Sequence, residues 1–101
     1  MIIEDNPTEK IVQTFTCEIC IGGNYDDAIK ICKEYSNDIG LCVTVDKTEF
    51  IYTYGQESGV KIRLVQYPRF PDEEIDIFNK GYNLAKKLIK GLYQKSALII
   101  T

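Results

Sequence analysis

Between residues 11 and 21 apolar and polar positions alternate, Phe15, Cys17, Ile19 and Ile21 against Thr14, Thr16 and Glu18. That is the period of a strand with one buried face. Gly22-Gly23 interrupts it, and Asn24 followed by Asp27 three residues on has the spacing of a helix N-cap. Tyr25, Ala28, Ile29, Cys32, Tyr35 and Ile39 then share one helical face, with Gly40 placed to end the helix in the left-handed conformation. Leu41, Val43 and Val45 alternate next, and Phe50, Tyr52 and Tyr54 resume in the opposite parity, so a turn or bulge is expected near Asp46-Lys47. Residues 55–59, with Gly55 and Gly59 at their ends, read as a hairpin loop. Beyond it Val60, Ile62 and Leu64 oppose Lys61, Arg63 and Val65 in a further strand.

Pro68 and Pro71 take the chain out of the sheet, since proline cannot donate to a ladder. Acidic Asp72, Glu73, Glu74 and Asp76 open a second helix that closes on Lys86, Lys87, Lys90 and Lys95, in keeping with the helix dipole. Its expected buried stripe is Ile75, Phe78, Tyr82, Ala85, Leu88, Ile89 and Leu92. Residues 96–101 form a last apolar strand. Only residues 2–10 show no period, and they are expected to be flexible. The order β-α-β-β-(β)-α-β with two amphipathic helices predicts a ferredoxin-like α+β sandwich: an antiparallel sheet of four or five strands with both helices on one face. Thr14, Thr16, Cys42, Thr44, Ile51, Val65 and Tyr67 would line the uncovered face, and a second subunit is the usual way to hide such a surface, so a homo-oligomer is expected.

At 101 residues the chain is read as one domain. A net charge of −3 argues against wrapping duplex nucleic acid, and no apolar run approaches a membrane span, so a cytoplasmic protein is expected. Cys17 and Cys20 are spaced C-x-x-C, but three residues apart on a strand they point to opposite faces and cannot grip one metal. With Cys32 on a helix, Cys42 in a strand and no histidine, reduced thiols and no metal or cofactor are expected. The missing histidine also removes the commonest catalytic base. Ser36, Ser58 and Ser96 lack the glycine-flanked elbow of a nucleophile, and the pairs Asp26-Asp27 and Glu73-Glu74 are explained by helix starts. The chain therefore reads as no enzyme.

What remains is a cationic, aromatic strip on an acidic protein. Lys61 and Arg63 share a strand face, Tyr54 lies near the hairpin, and Arg69 follows on a Pro-flanked segment beside Tyr67 and Phe70. Guanidinium forks suit phosphate and ring planes suit a nucleobase, so these six residues predict a site for a small nucleotide-type ligand. The plain alternative is that Arg63 is a solvated partner of Glu49 across the hairpin.

The segments CVTVDKTEFIYTYGQESGV and VQYPRFP resemble a signature of small phage and prophage proteins. That resemblance implies an anti-defence protein of the kind that sequesters a nucleotide immune signal without cleaving it, acting in the host cytoplasm. The alternatives are a protein that inhibits a host defence enzyme by direct contact, in the manner of an anti-CRISPR, and a structural or assembly component of a phage particle.

Overall fold

The computed structural model describes residues 16–65 and 76–101 in full, and residues 2–6, 8–12, 74 and 75 by their backbone. Six elements follow in the order β3 (Thr16–Gly22), α1 (Tyr25–Ile39), β4 (Cys42–Tyr52), β5 (Gly55–Val65), α2 (Glu74–Gly91) and β6 (Leu98–Ile100), preceded by β1 (Ile2–Asn6) and β2 (Thr8–Val12). β3 to β6 form one antiparallel sheet in the spatial order β4-β5-β3-β6. Both helices pack on the same face of it, α2 against β3 and α1 against β4. This is the ferredoxin-like α+β arrangement the periodicity predicts.

The buried layer follows from strand parity. Cys17, Ile19, Ile21, Val60, Ile62 and Leu64 face the helices and are 0–2% exposed, meeting Ala28, Cys32, Leu84 and Leu88 from above. Each such aliphatic side chain stabilises the fold by about 1.5–3 kcal/mol. α1 begins where expected: the Asn24 side chain accepts a hydrogen bond from the Asp27 amide at 3.0 Å, and Gly40 ends the helix at φ 68°.

Four expectations are corrected. β4 runs unbroken, paired residue for residue with β5 from Cys42–Val65 to Tyr52–Gly55, so no bulge divides it. Val43 and Val45 face the helices, whereas Phe50 and Tyr52 simply lie on the other face. The hairpin turns at Thr53-Tyr54, and Gly55 and Gly59 are inside β5 instead of in a loop. Their purpose is space: a Cβ on Gly59 would come 2.6 Å from Cε2 of Phe50 and would also strike the Ile21 carbonyl. In α2 the expected Ala85, Leu88 and Leu92 are buried, but Ile77 and Leu84 join them in place of Phe78 and Tyr82, which are exposed. Between these positions Gly81 sits so close to β3 that a Cβ there would lie 2.6 Å from Cys17 Sγ. Finally, residues 2–12 are not patternless: β1 and β2 pair antiparallel, Ile2 with Val12 and Ile3 with Ile11, as a separate two-stranded sheet. Apolar residues that come in adjacent pairs hide an alternation.

Candidate functional site

Of the strip read from sequence, Tyr67, Arg69 and Phe70 lie outside the described residues. The other three do not converge. Arg63 is on the open face of β5 and donates to Glu18 Oε1 from Nε at 3.1 Å and Nη2 at 2.8 Å. Lys61 is half-buried on the same face, opposite Asp46 and Cys20 in register. Tyr54 projects fully into solvent from the turn, at φ 66°. Glu49 is not the partner of Arg63: it is on the helix side of β4, where it accepts from Ser58 and, at 3.1 Å, from Gln56.

A different constellation forms on the open face, where three chain segments meet. The end of β3 contributes Cys20 and Gly22, the β4–β5 hairpin contributes Phe50 and Glu57, and the stretch after α2 contributes Gln94 and Ser96. Together with Leu98 they line an open cleft of about 400 Å³. Phe50 and Glu57 are direct partners across the hairpin, so a ring plane and a carboxylate stand side by side.

Local chemistry holds each group in place. The missing side chain of Gly59 gives the Phe50 ring its seat. α2 closes with Tyr93 in the left-handed conformation (φ 57°), and the Gln94 amide donates to the Ile89 carbonyl at 2.9 Å. That reversal carries Gln94 back over β3. The Gln94 Nε2 donates to the Leu92 carbonyl at 3.2 Å, which leaves Oε1 toward Gly22. A Cβ on Gly22 would lie 3.1 Å from Gln94 Oε1 and 3.2 Å from Glu57 Oε2, so two acceptor oxygens converge on one point above a bare backbone.

The cleft's electrostatics are one-sided. Among the described residues that line it, Glu57 is the one charged side chain. A phosphate would meet its carboxylate, whereas hydroxyl donors or a cation would find two acceptors. A planar group could lie against the Phe50 ring while Glu57 accepts from hydroxyl donors beside it. This set escaped the sequence reading because its members are scattered from residue 20 to 98. The one signal was Glu57 following two aromatic strand positions, and it is meaningful only once β4 and β5 are paired.

The four cysteines are free, and Cys17 and Cys20 point to opposite faces as expected. Burial pushes the Cys32 thiol up to about 11, and burial with the neighbouring Glu18 charge raises Cys17. Among the described residues no group of three or more metal-ligating side chains gathers, and no helix is long and apolar enough to cross a membrane.

No protein-family model and no curated protein matches the sequence. Solved structures do. The chain is similar to a phage SAM lyase in its apo state, with a TM-score of 0.65 and 17% identity over 84% of this chain and 76% of that one. It is similar also to a phage SAM lyase in complex with S-methyl-5'-thioadenosine, with a TM-score of 0.58 and 17% identity over 85% of this chain and 78% of that one. These likenesses agree in fold, and they correct the expectation that the chain is no enzyme: the absence of histidine and of a serine elbow does not bar catalysis on a fold that carries a lyase.

Proposed function

We propose that this chain is a phage-type anti-defence protein that binds a sulfonium nucleoside of the SAM class in the open-face cleft and cleaves it. The observation that carries the reading is the pairing of Phe50 with Glu57 in a cleft where Glu57 is the one charged side chain among the described lining residues. Its support from outside is a fold similar to that of phage SAM lyases, one of them holding S-methyl-5'-thioadenosine.

SAM presents an adenine, a ribose diol and a sulfonium centre, and it carries no phosphate. When a lyase breaks the bond between the sulfonium sulfur and the amino-acid chain, the electron pair goes to sulfur and the departing nucleoside becomes a neutral thioether. The carbon left behind is satisfied from within the substrate, by attack of its own carboxylate, which forms a C–O bond and closes a lactone as the C–S bond breaks. Such a leaving group needs no protonation, so a histidine is dispensable.

Charge decides where Glu57 belongs. Sulfonium loses its charge on the way to the transition state, so a carboxylate held against the sulfur would stabilise the ground state more and slow the reaction. On the ribose hydroxyls Glu57 would hold ground and transition states equally. In that role its loss appears in KM with little change in kcat.

The test is incubation of the purified chain with SAM, with mass spectrometry for S-methyl-5'-thioadenosine and calorimetry for binding. Turnover is expected, and Glu57→Gln should weaken binding by about 10- to 100-fold, the worth of a charged hydrogen bond. A folded protein that neither binds SAM nor yields the thioether would overturn the reading.

A further inference from the structure

The sheet has one long uncovered edge. β4 spans eleven residues, all paired with β5 on one side, and among the described residues it has no strand neighbour on the other. Its outer edge therefore offers a row of main-chain donors and acceptors, a template for another strand. Beside it, on the helix side, runs a groove of about 480 Å³ between α1 and β4, lined by Ile29, Ser36, Leu41, Cys42, Val43 and Val45. The groove is mostly apolar, yet the Ser36 hydroxyl is shielded from solvent there with no hydrogen-bond partner. Buried polar groups are nearly always paired, so the groove beside the unpaired edge also holds an unmet hydroxyl on α1.

The same chain carries an unspent piece of sheet. Among the described residues β1 and β2 pair only with each other, and a two-stranded hairpin alone is marginal in water. Its register gathers Ile2, Ile3, Ile11 and Val12 at the open end and sets acidic Asp5 opposite Glu9. It therefore brings apolar residues that need cover and a net negative tip, against a groove whose rim bears Lys33.

We propose that the β1–β2 arm of one copy docks along the β4 edge of a second copy, extending its sheet and seating apolar arm residues in the α1–β4 groove. Reach selects the second copy over the arm's own body. A strand beyond β4 would lie three strand spacings from β3, about 14 Å. From Val12 to Thr16 the chain can span about 14 Å only when fully extended, which leaves no slack to round the sheet. An arm crossing between copies meets no such limit.

The experiment compares the full chain with a version lacking residues 1–12, by light scattering and by hydrogen exchange of the β4 amides, with circular dichroism to show that the shortened body is folded. The full chain is expected to have at least twice the mass of one 11.6 kDa chain, with slow exchange along β4. Removal of the arm should give a single-copy mass and speed β4 exchange at least tenfold. A complementary pair sharpens the result: Ser36→Trp fills the groove but keeps the arm, the shortened chain keeps the groove but lacks the arm, and the two should associate one-to-one. A full chain that is monomeric, even with protected β4 amides, overturns the proposal, as does an assembly that survives loss of the arm. Should Ser36→Trp fail to fold, the truncation and exchange data alone decide.

Discussion

The two faces of this sheet are made from alternate residues of the same strands, and they obey different physics. On the covered face Cys17, Ile19, Val60, Ile62 and Leu64 are wholly shielded and fit against two helices. One residue away on each strand, Glu18, Lys61 and Arg63 remain in touch with water, and Arg63 pairs with Glu18. Cys17 and Cys20 make the point within a single C-x-x-C: the first is pressed under Gly81 of α2, and the second lines the cleft. Spacing that suggests a pair in sequence becomes opposite assignments in the fold.

The contrast can be broken most directly by removing one side chain from each face. Leu64→Ala is expected to cost about 2–5 kcal/mol in urea denaturation, because it opens a cavity in the packed layer. Its neighbour Arg63→Ala removes an ion pair whose arginine is 52% exposed, and should cost about 0.2–1 kcal/mol. Equal losses would mean that the open face is as tightly packed as the other.

The next effect tests the contact between α2 and the sheet. Gly81→Ala improves helix propensity but drives a methyl into Cys17 Sγ, and a net loss of about 1–3 kcal/mol is expected. Combining it with Cys17→Ala should recover part of that loss. An additive double variant would show that the two positions do not meet.

A pH titration separates the faces without mutation. Cys32 holds its proton more tightly folded, at about 11 against an ordinary value of 9.0, so its contribution to stability is complete below pH 9 and is lost as pH rises toward 11. Melting temperatures should fall across that window, and Cys32→Ala should flatten the fall. In native protein near pH 8, Cys32 and Cys17 should resist thiol reagents until the fold opens, whereas Cys20 should react and SAM should slow it.

The smallest expected change is at the turn. Tyr54 is fully exposed in a left-handed conformation, so Tyr54→Gly should add up to about 1 kcal/mol of stability. Ligand binding should be untouched if the cleft, and not the strip read from sequence, is the site. A tenfold loss of binding would return Tyr54 to the site.

Most of the architecture was legible in the chain because period and punctuation agree. Asn24 and Gly40 bound α1 by backbone chemistry that acts within a few residues, and the alternation around Ile19 and Ile62 reports burial directly. What escaped was set by contacts distant in sequence. Gly81 lies on the face of α2 that meets Cys17, a contact no local pattern reports, and Gly59 reads as a loop residue until Phe50 is laid over it. The cleft was illegible for the same reason, since Glu57, Gln94 and Gly22 become neighbours only through strand pairing and the reversal after α2. Arginine and tyrosine are conspicuous in a sequence, whereas a glycine that lets two oxygens converge is not.

Glu57 as the one charged side chain among the described residues of the cleft has a consequence for which ligands the proposed site would admit. Adenine and ribose are shared by ATP, ADP and other abundant carriers, any of which could clog a site that merely recognised a nucleoside. Under the proposed function the Glu57 carboxylate in the lining would repel the phosphates of these competitors. Selectivity against them would then follow from the sign of a single side chain.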